Sequence, residues 1–306
     1  MELAREEPVY EDVASKFWEH FLHIANAMND LGTDGDELWD NADGFFYDYL
    51  NLGNGKRIPL QVRSMVGLIP LLAVETMESE QLDRMSGFKT RFEWFMKNRP
   101  DLTKNVACMV TRGQSERRLL SIVDKEQLVR VLTYMLDEAE FLSPHGIRSV
   151  SRAHKDKPYT LHVDGQAYSV DYEPGESTTS LFGGNSNWRG PVWWPINYLL
   201  VEALQKYHYY YGDEVMVEYP TGSGNRLNLW DVSQELSRRM TGTFRQGEDG
   251  RRPVYGGVER FQTDPNWKDL IQFHEYFHGE TGAGLGASHQ TGWTGLVAKM
   301  LQQSGE

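Results

Sequence analysis

Apolar residues recur at helical spacing along most of this chain, and that period restricts it to an architecture built mainly from helices. The clearest stretch runs from Pro195 to Tyr211. Ile196, Leu199, Leu200, Ala203, Leu204 and Tyr207 form its stripe, and Gly212 supplies the stop. Phe17, Trp18, Phe21, Ala25 and Met28 predict an amphipathic helix over 11–29. The almost wholly apolar run 65–77 predicts a buried helix carrying Pro70 in its first turns, and another helix is expected over 80–97. Asp124 and Gln127 make a capping-box pattern ahead of Leu128, Val131, Leu132, Met135 and Leu136. Leu229, Val232, Leu236, Met240 and Phe244 mark a further helix. Ser288 is placed to cap a last one carrying Trp293, Leu296, Val297, Met300 and Leu301.

Strand signals are few. Asp164-Gly165 sits between Tyr159–Val163 and Gln166–Tyr172 as a hairpin turn, and Gly53-Asn54-Gly55 joins Gly44–Leu50 to Arg57–Val62 in the same way. Between these elements lie long Gly-rich loops over 173–190, 213–226 and 246–288, of a length that usually builds a site. About seven helices joined by such loops suggest helical hairpins around a central cleft, an all-α fold with small β-hairpin insertions.

Composition then removes several classes of function. Thirty-one basic against 44 acidic residues leave a net charge of −13, which repels nucleic acid and anionic membrane surfaces. No segment approaches the roughly 20 apolar residues of a membrane span, and the N-terminus lacks the apolar core of a secretory signal. Cys108 is the single cysteine and lies in an apolar context that reads as core, so the expected compartment is reducing and cytoplasmic. The Pro220–Asn225 stretch lacks the Gly-Lys-Ser/Thr of a phosphate loop, and no Gly-x-Ser-x-Gly elbow is present.

Two constellations carry chemistry. Phe273-His274-Glu275-Tyr276-Phe277-His278 formally matches the His-Glu-x-x-His of zinc peptidases, which needs a helix to put both imidazoles on one face. Gly279, Gly282, Gly284 and Gly286 follow at once and work against that helix, so no metal is expected. Without zinc, Glu275 lies among aromatics and imidazoles that suit an acid–base carboxylate, or else it is neutralised by His274 in a structural pair. The second constellation runs from Gly183 to Tyr198 and places Trp188, Trp193 and Trp194 beside Asn187, Arg189 and Asn197. Indole faces for the apolar side of a sugar ring and polar groups for its hydroxyl rim suit a carbohydrate subsite. Glu176, just upstream, is positioned to reach the same ligand, or is an exposed loop carboxylate.

These residues resemble a known family. Asn187-Trp188-Arg189-Gly190-Pro191-Val192-Trp193, followed by Asn197-Tyr198-Leu199, is similar to a signature of glycoside hydrolase family 63. Gly279-Glu280-Thr281-Gly282-Ala283-Gly284-Leu285-Gly286, then His289 and Gly292-Trp293-Thr294, resembles its C-terminal signature. Leu142–Ser149 and the acidic-aromatic run Trp39-Asp40-Asn41-Ala42-Asp43-Gly44-Phe45-Phe46-Tyr47-Asp48 resemble two further blocks. The resemblance implies an (α/α)6 toroid and inverting hydrolysis of an α-linked glucoside without cofactor. Glu275 occupies the position of the family's general base. Trp188, Arg189, Trp193, His289 and Trp293 would line the sugar pocket, with Glu176, His274, Asn197, Tyr198 and Gln290 as further expected contacts.

The chain departs from the family in one respect. The family's general acid is an Asp in a short Ser-Gly-x-Asp-like motif upstream of the matched blocks, and no such motif occurs here. Residues 1–306 are therefore expected to form the C-terminal portion of one catalytic domain, an incomplete toroid. A second copy or a separate N-terminal half would then be the expected partner. Within the chain, only Asp40, Asp43 and Asp48 offer themselves as an acid. The alternatives are a hydrolase of mannosylglycerate or glucosylglycerate, with Arg148, Arg152 or Arg189 meeting the substrate carboxylate, and a catalytically incomplete carbohydrate-binding or partner subunit. A zinc peptidase comes last.

Overall fold

The computed structural model describes residues 1–29, 37–53, 55–104, 106, 111–176 and 190–305. Among them run eleven α-helices: α1 (Glu2–Glu6), α2 (Glu11–Asn29), α3 (Ser79–Arg84), α4 (Ser86–Asn98), α5 (Pro100–Thr103), α6 (Lys125–Met135), α7 (Trp194–Tyr211), α8 (Leu229–Gly242), α9 (Glu259–Thr263), α10 (Thr291–Thr294) and α11 (Val297–Ser304). All the strands described pair antiparallel in twos, so the fold is mainly helical with short hairpins, as expected. Both hairpins read from the sequence form, with Asp48–Asn51 against Arg57–Leu60 and Tyr159–Val163 against Gln166–Val170.

Local signals place several elements closely. Asp124 accepts the Gln127 amide and Gln127 reaches back to the Asp124 N–H, closing the capping box of α6. Pro195 opens α7, and Gly212, at φ +57°, ends it. The run 65–77 is not one helix. It forms a 3-10 turn over Met65–Leu72, then a strand, Val74–Met77, that pairs with Arg118–Ser121. The helix expected over 80–97 divides at Met85, whose backbone leaves helical space. The last helix starts at Gln290 rather than Ser288 and is split into α10 and α11. These breaks raise the helix count above seven.

On α2, two stripes satisfy the helical period, and tertiary contact chooses between them. Ala14, Trp18, Leu22 and Ala25 face inward, and Trp18 meets Phe88 and Phe95 of α4 edge to face, whereas Phe17 is 69% exposed. This second core is separate from the main one, which gathers around α7. Trp194 at the head of α7 is fully buried and takes the rings of Phe244 and Phe277 on its faces and edges.

The site is positioned by a seam of extended backbone that connects segments remote in sequence. Met65 N–H donates to Ser149 O, and Ser149 N–H donates to Pro191 O. Val192 and Phe277 then exchange both of their backbone bonds, at 2.8 and 3.0 Å. Phe277 in turn pairs with Gly284 in the hairpin Tyr276–Phe277/Gly284–Leu285. Asn197, 3% exposed, staples this seam to α7. Its amide nitrogen donates to Ile147 O and Trp193 O, and its oxygen accepts the Ile147 N–H at 2.6 Å. Its side chain is thus committed to backbone.

Asn197→Ala would leave the buried Ile147 N–H and carbonyl unpaired. It is expected to cost about 2–4 kcal/mol. Urea unfolding of the two proteins checks this, and an unchanged midpoint would refute the staple.

Candidate active site

The seam brings three sequence-distant blocks together: Leu142–Ser149, the start of α7, and the hairpin that follows Glu275. Glu275 stands at the head of that hairpin, half-buried, with Oε2 accepting the Ala287 N–H at 3.3 Å. Two glycines let the chain close on this site. Gly286 has φ +66°, and a Cβ there would lie 2.7 Å from Glu275 Oε2; Gly282, at φ +70°, would drive one into the His145 ring at 2.6 Å. Gly282 and Gly286 of the Gly-rich signature are therefore packing requirements of the hairpin that follows Glu275.

An aromatic wall adjoins Glu275. Trp193 stacks on Tyr276 with ring centroids 5.1 Å apart and planes 21° apart, and Trp293 packs on Trp193 at 5.7 Å. The Tyr276 hydroxyl donates to Glu176 Oε2 at 2.8 Å. Burial raises the Tyr276 phenol, and the Glu176 bond and the charges of Glu176 and Glu275 raise it further. Glu176, Glu275, Trp193, Tyr276 and Trp293 thus share one neighbourhood.

The remaining expected site residues fall in different places. Trp188 and Arg189 lie outside the described residues, as does Cys108. Tyr198 donates to Glu202 one turn on at 2.7 Å, and burial and that carboxylate push its phenol up to about 12. His289 is exposed and bridges Phe273 through its backbone, and the Gln290 carbonyl accepts the Trp293 and Thr294 N–H groups at the start of α10. His274 is held neutral by burial, and among the described residues its Nδ1 and the Trp293 Nε1 are buried without partners.

The zinc reading fails on geometry. The His274–His278 segment is extended and continues into a strand, not a helix, and His278 Nδ1 accepts the N–H groups of Glu280 and Thr281 at 3.2 Å each. That imidazole closes the hairpin tip.

Sequence reasoning missed the ion pair that anchors the hairpin. Arg148 is only 2% exposed, and its Nη2 lies 3.0 Å from Glu280 Oε1. Tyr172 donates to the same oxygen at 2.6 Å, while Arg148 also donates to Tyr172 Oη and to the Leu142 carbonyl. Burial works against the Glu280 charge, but the Tyr172 hydroxyl and the Arg148 guanidinium outweigh it and hold the carboxyl below its ordinary range. Arg148 is therefore spent internally and is closed to a substrate carboxylate. Burial pushes the neighbouring His145 down to about 4, with the charge of His278 adding to it. Both halves of the motif were visible, Arg148 in Gly-Ile-Arg-Ser and Glu280 in Gly-Glu-Thr-Gly, but nothing in the sequence marked them as partners.

The Asp40–Asp48 run lies at the opposite edge of the seam. Asp43 is bonded to Arg63, with Nη2 2.7 Å from Oδ1, and to the Tyr47 hydroxyl. Burial opposes its charge, yet those bonds keep it ionised, and Asp40 accepts the Ala42 and Asp43 amides of its own turn. The bonds from Arg63 and Tyr47 hold the Asp43 carboxyl below its ordinary range, which works against its serving as an acid.

The family described as the mannosylglycerate hydrolase MGH1-like glycoside hydrolase domain matches residues 119–294, a span that holds Arg148, Trp193, Glu275 and Glu280. The chain belongs to this family. The family 63 resemblance of the sequence blocks is thereby borne out. Among relatives, the Saccharomyces cerevisiae protein YMR196W is 49% identical over 319 residues, which covers 100% of this chain and 29% of that protein. The mannosyl-oligosaccharide glucosidase of Saccharomyces cerevisiae is 26% identical over 176 residues, 57% of this chain and 15% of that protein. A probable mannosyl-oligosaccharide glucosidase of Schizosaccharomyces pombe is 27% identical over 182 residues, 59% of this chain and 16% of that protein. The chain thus spans under a third of the length of these relatives. Among solved structures, a family 63 mannosylglycerate hydrolase from Thermus thermophilus in complex with glucose matches with TM-score 0.32 and 16% identity, covering 87% of this chain and 34% of that one.

Because the native environment lowers the Glu280 carboxyl, its contribution is fully present above the unfolded value of about 4.3 and fades as pH falls through the folded one. Glu280→Gln is expected to cost on the order of 1–2 kcal/mol at neutral pH, screened because the carboxylate is partly exposed, and nothing at strongly acid pH. Denaturation of both proteins across pH checks this; a gap that widens on acidification would refute it.

Proposed function

We propose that this chain carries the base-bearing part of an inverting glycoside hydrolase acting on α-linked glucosides, within an (α/α)6 toroid to which it contributes helical hairpins. The observation that carries the reading is Glu275 at the head of a hairpin fixed by Arg148 and Glu280, beside the Trp193–Tyr276–Trp293 wall. Membership in a glycoside hydrolase family supports it. In this reading Glu275 takes a proton from a water that attacks the anomeric carbon on the face opposite the leaving group. The indole and phenol rings meet the apolar face of the sugar, and Glu176 accepts from its hydroxyls, exchanging its bond to Tyr276. No acid is assigned among the described residues.

A second reading, hydrolysis of mannosylglycerate or a similar glycosylglycerate, is favoured by the description of the matching family. Of the three arginines read from the sequence for this role, Arg148 is engaged with Glu280 and Arg189 lies outside the described residues, which leaves Arg152, half exposed and 4.0 Å from Glu280.

A panel of α-glucosides and both glycosylglycerates, assayed with wild type and Glu275→Gln, tests these readings, with product anomers followed by NMR. Loss of a general base is expected to lower turnover by about 10²–10⁴-fold, with inverted product from wild type. Equal, measurable turnover in the two proteins would remove Glu275 from the mechanism, and no turnover in either would favour a catalytically incomplete carbohydrate-binding or partner subunit.

A further inference from the structure

A cleft of about 580 Å³ opens at the far edge of the seam, lined by Asp40, Gln61, Arg63, His154, Lys157 and Tyr159 among others, and it shares no lining residue with the Glu275 neighbourhood. Its floor is rigid. Arg63 is clamped between Asp43 and Glu140, lies 4.2 Å over the Tyr134 ring, and is held through its backbone N–H by His154 Nε2 at 3.0 Å. Ser151 donates to the second Glu140 oxygen, so that carboxylate, only 8% exposed, is fully engaged. Tyr159 forms one wall, its hydroxyl pinned on Pro59 O at 3.2 Å.

The open groups are polar and of mixed kind. Gln61 Nε2 donates to Asp40 Oδ2 at 3.2 Å, and both side chains line the cleft. Among the described residues the Lys157 ammonium has no hydrogen-bond or ion-pair partner. Burial pushes the His154 imidazole below its ordinary value, and with Nε2 accepting from the Arg63 N–H its Nδ1 donates to Lys157 O. The lining carboxylates Asp40 and Asp43 therefore face the lining cations Arg63 and Lys157, with Glu140 buried behind Arg63. An anion meets no net positive field there. A neutral polyhydroxyl ligand meets donors, acceptors and one aromatic face together.

We propose that this cleft is an accessory saccharide subsite, which takes a neutral sugar unit of a glycan whose reactive end lies at Glu275. The glycan's orientation rests on the glycosidase reading above; the chemistry of the cleft does not. Three strand spacings, about 15 Å, separate the backbone of the Met65 segment beside the cleft from that of the Tyr276 strand, a span on the scale of a short oligosaccharide.

Calorimetric titration of the whole chain with methyl α-glucoside, maltotriose and maltopentaose tests the subsite. The variants are Gln61→Ala, Lys157→Ala and Glu275→Gln, with thermal unfolding as the folding control. Maltopentaose is expected to bind more tightly than methyl α-glucoside. Each cleft variant should shrink that advantage by about three- to tenfold, as for loss of one hydrogen bond to a ligand. Glu275→Gln should preserve it. Equal affinity for the short and long probes, or an advantage untouched by both cleft variants, overturns the subsite while leaving the Glu275 reading intact. Cleft-dependent binding in a protein with no hydrolysis, unaffected by Glu275→Gln, supports the subsite and counts against the glycosidase reading.

Discussion

The reciprocal backbone bonds between Val192 and Phe277 are the join on which the rest of the structure depends. They link the head of α7 to the hairpin that follows Glu275, and Ser149 extends the same seam toward Met65. Extended segments with unpaired backbone would be costly in a buried setting, and each supplies the other's missing partners. Side chains then lock the seam from either side. Asn197 staples it to α7, and Arg148 reaches along it to fix Glu280. Loss of any one of these leaves buried donors or a buried charge without a partner, which is why the polar groups here are structural before they are functional.

This arrangement separates two kinds of carboxylate. Glu280, Glu140 and Asp43 each answer an arginine, and they hold the frame. Glu176 instead accepts from Tyr276 in the aromatic wall, and Glu275 accepts the Ala287 N–H at the head of the neighbouring hairpin. The glycines of the C-terminal signature serve the same division, since Gly286 gives the Glu275 carboxylate space that any side chain would fill.

Much of the helical framework was legible from periodicity and caps, because α6 carries its capping box, α7 its opening Pro195 and closing Gly212, and α8 its apolar stripe within a few residues. The inward face of α2 was not, since two stripes fit one period and only the rings of α4 decide between them. The break after Leu72 followed from a strand partner more than forty residues away, Arg118–Ser121, which no local pattern reveals. In the site, the tryptophans and Glu275 were evident as residue types. Asn197 looked like a sugar contact because a polar side chain among tryptophans suits one; its three backbone bonds place it in the frame instead.

The sequence by itself determined the helical period, the starts of α6 and α7 and the family blocks on either side of Glu275, because each is encoded in neighbouring residues. Tertiary structure alone decided which arginine meets which carboxylate. It also engaged Asp43 with Arg63 and placed a polar cleft beside that pair. Those pairings join residues 20 to 132 positions apart, and the energy of a charge pair depends on separation in space and on burial, neither of which the order of residues specifies.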